Sequence, residues 1–447
     1  MNCAHFRMLG VAVAALLSLQ QTSVWGADYY VSAAVGKGKK ATLEKPAKDL
    51  GNIIKKLEPG DVIHIAGGTY LGRGSNGSDV ITVPVSIIGG YSDDFSERDP
   101  WGKYRTVLSG DNMSKNWQRT PRLMIDLMKY KGKEMPPIMI DGVIIDDAER
   151  NRYTDATEQQ IARTANPKTQ QNSSPDQGGL VVRVSKTGNF DADAYWDITV
   201  QKCVVMNSGP TQGALSVSGY KNSQIHIRNN IVINNTGSGI FAGTKFRPND
   251  DAERPFFQIE NNTVLFTWKY DPSAQSYSGN AIKFDPDIDA EVQHNVLSFS
   301  DRFGVHNAGN SAISLNHNLI AGSVEADYLE FDTRMQLDEL EDEAEYLEEA
   351  EGNSKEPLQV AVSAQWAKLY GSRVLVDRNA AEADIQIQQT AANEIRAMLG
   401  LPLQAGTVDM PNSPVWLPRL SIDDAINAGS QPHLESYGSS RTYLGES

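Results

Sequence analysis

One polar residue returns at a fixed place in a repeating apolar pattern, and this constrains the chain more than any other feature. Five segments align beneath one another: Ile198-Thr-Val-Gln-Lys-Cys203-Val-Val, Ile225-His-Ile-Arg-Asn-Asn230-Ile-Val, Phe257-Gln-Ile-Glu-Asn-Asn262-Thr-Val, Ala290-Glu-Val-Gln-His-Asn295-Val-Leu and Ile313-Ser-Leu-Asn-His-Asn318-Leu-Ile. In each, apolar residues alternate up to the fixed position and resume after it, which is the period-two signature of short strands joined by a sharp turn. The fixed positions are 27, 32, 33 and 23 residues apart. Self-similarity at such periods means a solenoid, in which each coil buries its apolar face on its neighbours. Parallel strands stack about 4.8 Å apart, so identical amides at one turn can bond from coil to coil. Asparagine also tolerates the left-handed backbone that such a turn needs. The expected fold is therefore an all-β solenoid, a right-handed parallel β-helix with an asparagine ladder. Cys203 starts the ladder as a small buried filler.

A second strand recurs between these segments: Gly179-Leu-Val-Val-Arg183, Gly213-Ala-Leu-Ser-Val217, Gly239-Ile-Phe-Ala242, Asn280-Ala-Ile-Lys-Phe284 and Phe303-Gly-Val-His-Asn307. With Val182, Leu215, Ile240, Ile282 and Val305 inward, Arg183, Ser216, Phe241, Lys283 and His306 form one outward column. The N-terminal half is less regular, but Asp61-Val-Ile-His-Ile-Ala, Ile81-Thr-Val-Pro-Val-Ser-Ile-Ile, Thr106-Val-Leu-Ser-Gly and Ile138-Met-Ile-Asp-Gly-Val-Ile-Ile read as earlier coils.

The division expected from these patterns is 1–27 signal peptide, 28–323 β-helix and 324–447 acidic, mostly helical C-terminal appendage. Arg7 followed by an apolar run from Met8 to Leu19 and then Val24-Trp25-Gly26-Ala27 reads as a secretory signal. That run is shorter than the roughly 18 to 20 apolar residues of a membrane-spanning helix. The expected location is periplasmic or extracellular, with no transmembrane segment. Once the signal leaves, Cys203 is the sole cysteine, so stability comes from packing rather than disulfides. A formal charge of −15 argues against nucleic acid as a partner. Between Glu325 and Glu351 stand thirteen acidic residues against Arg334 alone, with Leu337, Leu340, Ala344 and Leu347 as an apolar stripe and Gly352 as a stop. Further helices are expected over 390–399 and from Ser421, an N-cap, to Gly429. This region is expected to pack along the solenoid or to cap its last coil, because open strand edges recruit other chains.

The segments Asp28-Tyr-Tyr-Val-Ser, Glu44-Lys-Pro-Ala-Lys-Asp-Leu and Glu58-Pro-Gly-Asp-Val-Ile-His-Ile-Ala-Gly-Gly-Thr-Tyr70 resemble the opening cap and first coil of secreted proteins of the pectate-lyase-like superfamily. Ile87-Ile-Gly-Gly-Tyr91, followed by Thr106-Val-Leu-Ser-Gly-Asp111, resembles a subset of bacterial surface β-helix proteins, many of unknown activity. The resemblance implies the fold over about two thirds of the chain. It does not select a reaction, since that superfamily includes lyases, hydrolases, epimerases and non-catalytic members.

Lys283 and His306 fall at matching positions in successive coils and carry the candidate chemistry. A lysine beside a second cation has a lowered pKa and becomes a better proton acceptor. Asp285, Asp287 and Asp289 in the adjoining turn offer hard oxygen ligands for calcium, though aspartate and proline are also ordinary turn residues. Lys245 and Arg247 would meet sugar carboxylates, while Phe241, Trp268, Tyr270 and Tyr277 would supply aromatic faces. These parts suit binding of an acidic polysaccharide or other envelope glycan and its cleavage by β-elimination, a plan that the lyases of the superfamily resemble. Asp285 with Asp250 or Asp251 would instead suit an inverting hydrolase. The alternative of another class is a non-catalytic envelope or surface protein, with the solenoid as a stiff rod.

Overall fold

A computed structural model describes residues 26–72, 77–110, 121–147, 178–185, 195–209, 212–244, 247, 253–268, 279–358, 420–430 and 437–442. Three long sheets run along the molecule, with ten, nine and eight strands among the described residues. Among the described residues every strand pairing between successive coils is parallel, and the one antiparallel pair of strands joins Ala326–Glu330 to Thr333–Met335. A coil visits the ten-stranded sheet, turns onto the eight-stranded sheet and crosses to the nine-stranded sheet, as in Gln224–Arg228, Ile231–Thr236 and Ser238–Thr244. The protein is a parallel β-helix. Its core is one continuous interior cluster from Val31 to Leu340, formed by the inward residues of all three sheets.

At the turn after the ten-stranded sheet, Asn230, Asn262, Asn295 and Asn318 are fully buried. Each donates from Nδ2 to the side-chain carbonyl of the next, at 2.9, 3.0, 2.9 and 3.1 Å, the last reaching Asn353. The same carbonyls accept backbone N–H groups of the preceding coil, as from Asn230 to Asn262 at 3.0 Å. Cys203 heads the column, buried, with its thiol pushed up to about 12 by burial and its N–H donated to Asn230. The left-handed residue is the one before the column: Lys202, Asn229, Asn261, His294 and His317 have φ between 51° and 55°. The strain of the turn is thus taken by a neighbour, which leaves the asparagine free to bond along the stack.

The acidic segment from Glu325 to Glu351 is not a helix. It forms strands Ala326–Glu330, Thr333–Met335 and Leu347–Glu349 with one helical turn, Leu340–Glu343. Long-range pairing overrides the local helical pattern: Glu330 accepts the N–H groups of Glu345 and Tyr346, and Leu347 joins the ten-stranded sheet beside Ile313. Met335 and Leu340 are buried on the interior cluster, and Leu337, Ala344 and Leu347 pack partly against it, so the stripe closes the open end of the core. Gly352, at φ 65°, takes the left-handed corner place before Asn353 and does not stop a helix. The expected helix over 390–399 lies outside the described residues, as does the signal segment through residue 25.

The helix Ile422–Gly429 is present, with the Ser421 hydroxyl accepting the Asp424 N–H at 3.0 Å. Leu420, Ala425, Ile426 and Ala428 pack on the outer face of the eight-stranded sheet, against residues that include Met206, Ile231 and Ile233. This explains why Ile231–Thr236 is buried at every position: the sheet is covered on both faces. No described helix is long and apolar enough to cross a membrane.

Candidate functional site

The nine-stranded sheet places Lys283 directly beside His306, with Phe241 before them and Leu329 after. In strand Asn280–Phe284 every residue but Lys283 is buried, and Lys283 stands between inward Ile282 and Phe284, so the lysine faces away from the core. Lys283 is half-buried, whereas His306 is buried at 2 % exposure. Together with Ala308, Phe331 and Asp332 they line a recess of about 350 Å3. Phe331, at the turn of the antiparallel hairpin, is 49 % exposed and stands edge-on to Tyr346.

Burial lowers the Lys283 pKa; the Asp285 carboxylate opposes this and Arg302 adds to it. Burial, then Lys283 and Arg302, push His306 down to about 3. The imidazole is therefore neutral at ordinary pH, and the neighbouring amine gives up its proton more readily than a solvated lysine. Arg302 stacks over Phe303, with its guanidinium 4.7 Å from the ring centre, and bonds Glu325 at 2.9 Å; Arg334 reaches the same carboxylate at 3.0 Å. Two arginines thus converge on one glutamate at this end of the sheet.

The expected groove is shorter than the sequence pattern predicts. Arg183 pairs in register with Ser218, two residues beyond the column, and bonds Asp126 at 3.0 Å; Val181 is the residue that stands beside Ser216. Ser216 and Phe241 do occupy the column, but both are only 5 % exposed, which leaves Phe241 no free face for a sugar ring. Trp268 is buried at 2 % and donates its indole N–H to Asn234 at 2.9 Å, so it is a core residue rather than a stacking platform. Arg247 is exposed and paired with Asp287 at 2.8 Å. Lys245, Tyr270, Tyr277, Asp250 and Asp251 lie outside the described residues.

The aspartate run does not fit a calcium ion. Among the described residues no three acidic, histidine or cysteine side chains come close enough together to hold a metal. Asp287 accepts Arg247 and Asn310, and Asp289 faces Arg254 at 3.4 Å. The run is a corner stapled to the next coil, with Ser311 donating to the Asp285 carbonyl at 2.7 Å and accepting the Ile288 N–H at 3.1 Å.

A second polar column passed unnoticed in the sequence. Asn234 donates to Asn207 and Asn207 to Asp146, each at 2.7 Å, while Asn207 and Leu420 exchange bonds that anchor the C-terminal segment. The left-handed φ of Asn207 and Asn234 marks the same corner in two coils, and the matched spacing of the two asparagines, 27 residues, was its visible trace.

No protein-family model matches the chain, and no curated protein matches it. Among solved structures the chain is similar to the pectate lyase Pel9A, with 14 % identity and a TM-score of 0.36 over 76 % of this chain and 82 % of that one. It is also similar to XylC, solved in complex with xylose, with 13 % identity and a TM-score of 0.24 over 68 % and 70 % of the two chains. Neither likeness bears on activity. The three parallel sheets themselves fit the pectate-lyase-like β-helix architecture that the opening segments imply.

Proposed function

We propose that this β-helix binds an acidic polysaccharide in the recess of Lys283 and His306 and cleaves it by β-elimination. The observation that carries the reading is a desolvated lysine beside a neutral, buried histidine on the floor of an open recess. Lys283 takes the proton α to a uronate carboxyl. The electron pair moves into a new carbon–carbon double bond as the bond to the glycosidic oxygen breaks, and that oxygen takes a proton from water while Lys283 releases the one it removed. Arg302 and Arg334, held together on Glu325, supply the guanidinium groups that meet the carboxylate and favour the charge that builds up on it. Phe331 offers an exposed ring for the sugar face. No step in this scheme needs a metal ion.

Export is part of the same reading, since a polysaccharide of this kind lies outside the cytoplasm; the apolar run from Met8 to Leu19 supports it. N-terminal sequencing of the mature protein should begin near Ala27 or Asp28, and an intact N-terminus after expression in a secreting host would refute it.

The test is the ultraviolet absorbance of unsaturated uronides, followed with purified protein on a panel of acidic polysaccharides beside Lys283→Ala. A rise that depends on Lys283 supports elimination. The rival reading, a non-catalytic rod, draws on the aspartates and Trp268 being spent on structure. It is favoured if no polymer gives a product and none is retained by the immobilised protein.

A further inference from the structure

A polar recess away from Lys283 lies at the first coils, where the corner Gly67-Gly68 faces the excursion between Ser86–Tyr91 and Thr106–Leu108; its volume is about 450 Å3. That volume lies in the usual range for small-molecule sites, roughly 300 to 1,000 Å3. Its shape depends on a close approach of backbones. Gly67 donates to the Tyr91 carbonyl at 2.7 Å and Gly68 to the Arg105 carbonyl at 2.8 Å, and a Cβ at Gly67 would sit 3.1 Å from the Tyr104 Cα.

One wall is fixed before any ligand arrives. Asp28 Oδ1 lies 2.9 Å from His64 Nε2, and His64 Nδ1 lies 3.2 Å from the Tyr91 hydroxyl. An Nε2–H donated to the carboxylate leaves Nδ1 to accept the Tyr91 O–H, so one neutral tautomer satisfies the whole chain. Tyr30 stacks on His64 at 5.0 Å, and Phe95 packs against both Tyr30 and Tyr91. Such an aromatic and hydrogen-bonded frame on the outer face of a sheet adds nothing to the interior core, but it holds the Tyr91 ring still, as a binding wall requires.

The opposite wall carries the charge. Lys103 lies over the Tyr104 ring at 4.6 Å with its side chain 70 % exposed, and Glu97, 3.6 Å away, balances it only in part. Arg105 spends one terminal nitrogen on Asp423 at 2.7 Å, while its Nε is buried without a hydrogen-bond partner among the described residues. Asp93, the one acid lining the recess, already accepts the Ser32 hydroxyl at 2.8 Å. Two tyrosine rings, a lysine and an under-used guanidinium describe the recognition of a sugar that bears an acidic group.

We propose that this recess is a second glycan site, which binds a single uronate-type sugar independently of Lys283. The experiment is calorimetric titration of the full-length protein with glucuronate and with glucose. Glucuronate should bind, with glucose weaker by about tenfold or more, as loss of a charge-assisted hydrogen bond implies. Lys103→Gln and Arg105→Gln should each lower glucuronate affinity by about tenfold, and the Lys103-dependent binding should persist in Lys283→Ala. Lys103 is solvent-facing, so Lys103→Gln decides the matter if Arg105→Gln loosens the C-terminal helix and lowers the melting temperature. Equal affinity for the two sugars, no binding of glucuronate, or a loss confined to Lys283→Ala would each overturn the assignment. That last result would place uronate binding at the other recess alone, whereas the absence of elimination would leave this site untouched.

Discussion

Two columns of stacked side chains run along this solenoid, and the same parallel geometry treats them in opposite ways. At the corner after the ten-stranded sheet the stack sets asparagine on asparagine from Asn230 to Asn353. On the outer face of the nine-stranded sheet it sets Lys283 on His306. Parallel coils in register bring like beside like. An amide has a donor and an acceptor and is complementary to itself, so repetition saturates it. Two bases are not complementary, so repetition with burial disfavours the protonated form of both. The first column is what a solenoid needs in order to stand; the second is an arrangement that stability alone would not favour.

The comparison breaks most easily at its stable side. Asn262→Ala would leave the Asn230 N–H without its acceptor, take one of two acceptors from the Asn230 amide, and remove one donor each from the Asn295 and Ile227 carbonyls. Denaturant titration should show a loss of about 4 kcal/mol. A cost under about 1 kcal/mol would mean that the amide column does not hold the coils. The second column is sharpened by pH. Because the folded state keeps His306 neutral down to about 3 while the unfolded state protonates near 6.5, its contribution is fully present above pH 6.5 and is lost as pH falls toward 3. The difference between pH 7 and pH 5 should be about 2 kcal/mol in the native protein and should shrink in His306→Gln. An unchanged pH slope in that variant would show that His306 is not a buried base. Trp268→Phe tests whether the smaller Asn207 and Asn234 column extends to the indole. It should cost about 1 kcal/mol in urea melts and leave polysaccharide retention unaltered. The smallest effect belongs to the exposed Arg247 and Asp287 pair, where Arg247→Ala should change stability by less than about 0.5 kcal/mol.

Much of this was legible because period-two alternation and a fixed polar residue are local signals. The five coils, the N-terminal strands, the pairing of Lys283 with His306 and the cap at Ser421 all follow from spacing. Errors arose where position along the strand or burial was set from outside the segment. Arg183 sits two residues off the column because Leu180, and not Val182 as the apolar match suggests, pairs with Leu215, which carries the whole segment two residues further along its neighbour. Trp268 and the outer face of its sheet look free in sequence because the residues that pack there, around Leu420 and Ile426, come far later in the chain. The acidic stripe repeats like a helix, yet its apolar residues serve the open end of a core already built. The recess near Tyr91 left no spacing signal at all, since it arises from a corner glycine pair meeting a distant excursion.

The bond between Leu420 and Asn207 joins residues 213 positions apart, in a fold whose other contacts mostly link neighbouring coils. In the order of synthesis, the eight-stranded sheet is complete while the segment that covers its apolar outer face has yet to emerge. The coils can therefore stack progressively, but they carry an uncovered apolar strip until the segment from Leu420 to Gly429 arrives. The closing helix works as a clasp fastened last, and a chain truncated before it would present the strip to whatever it met first.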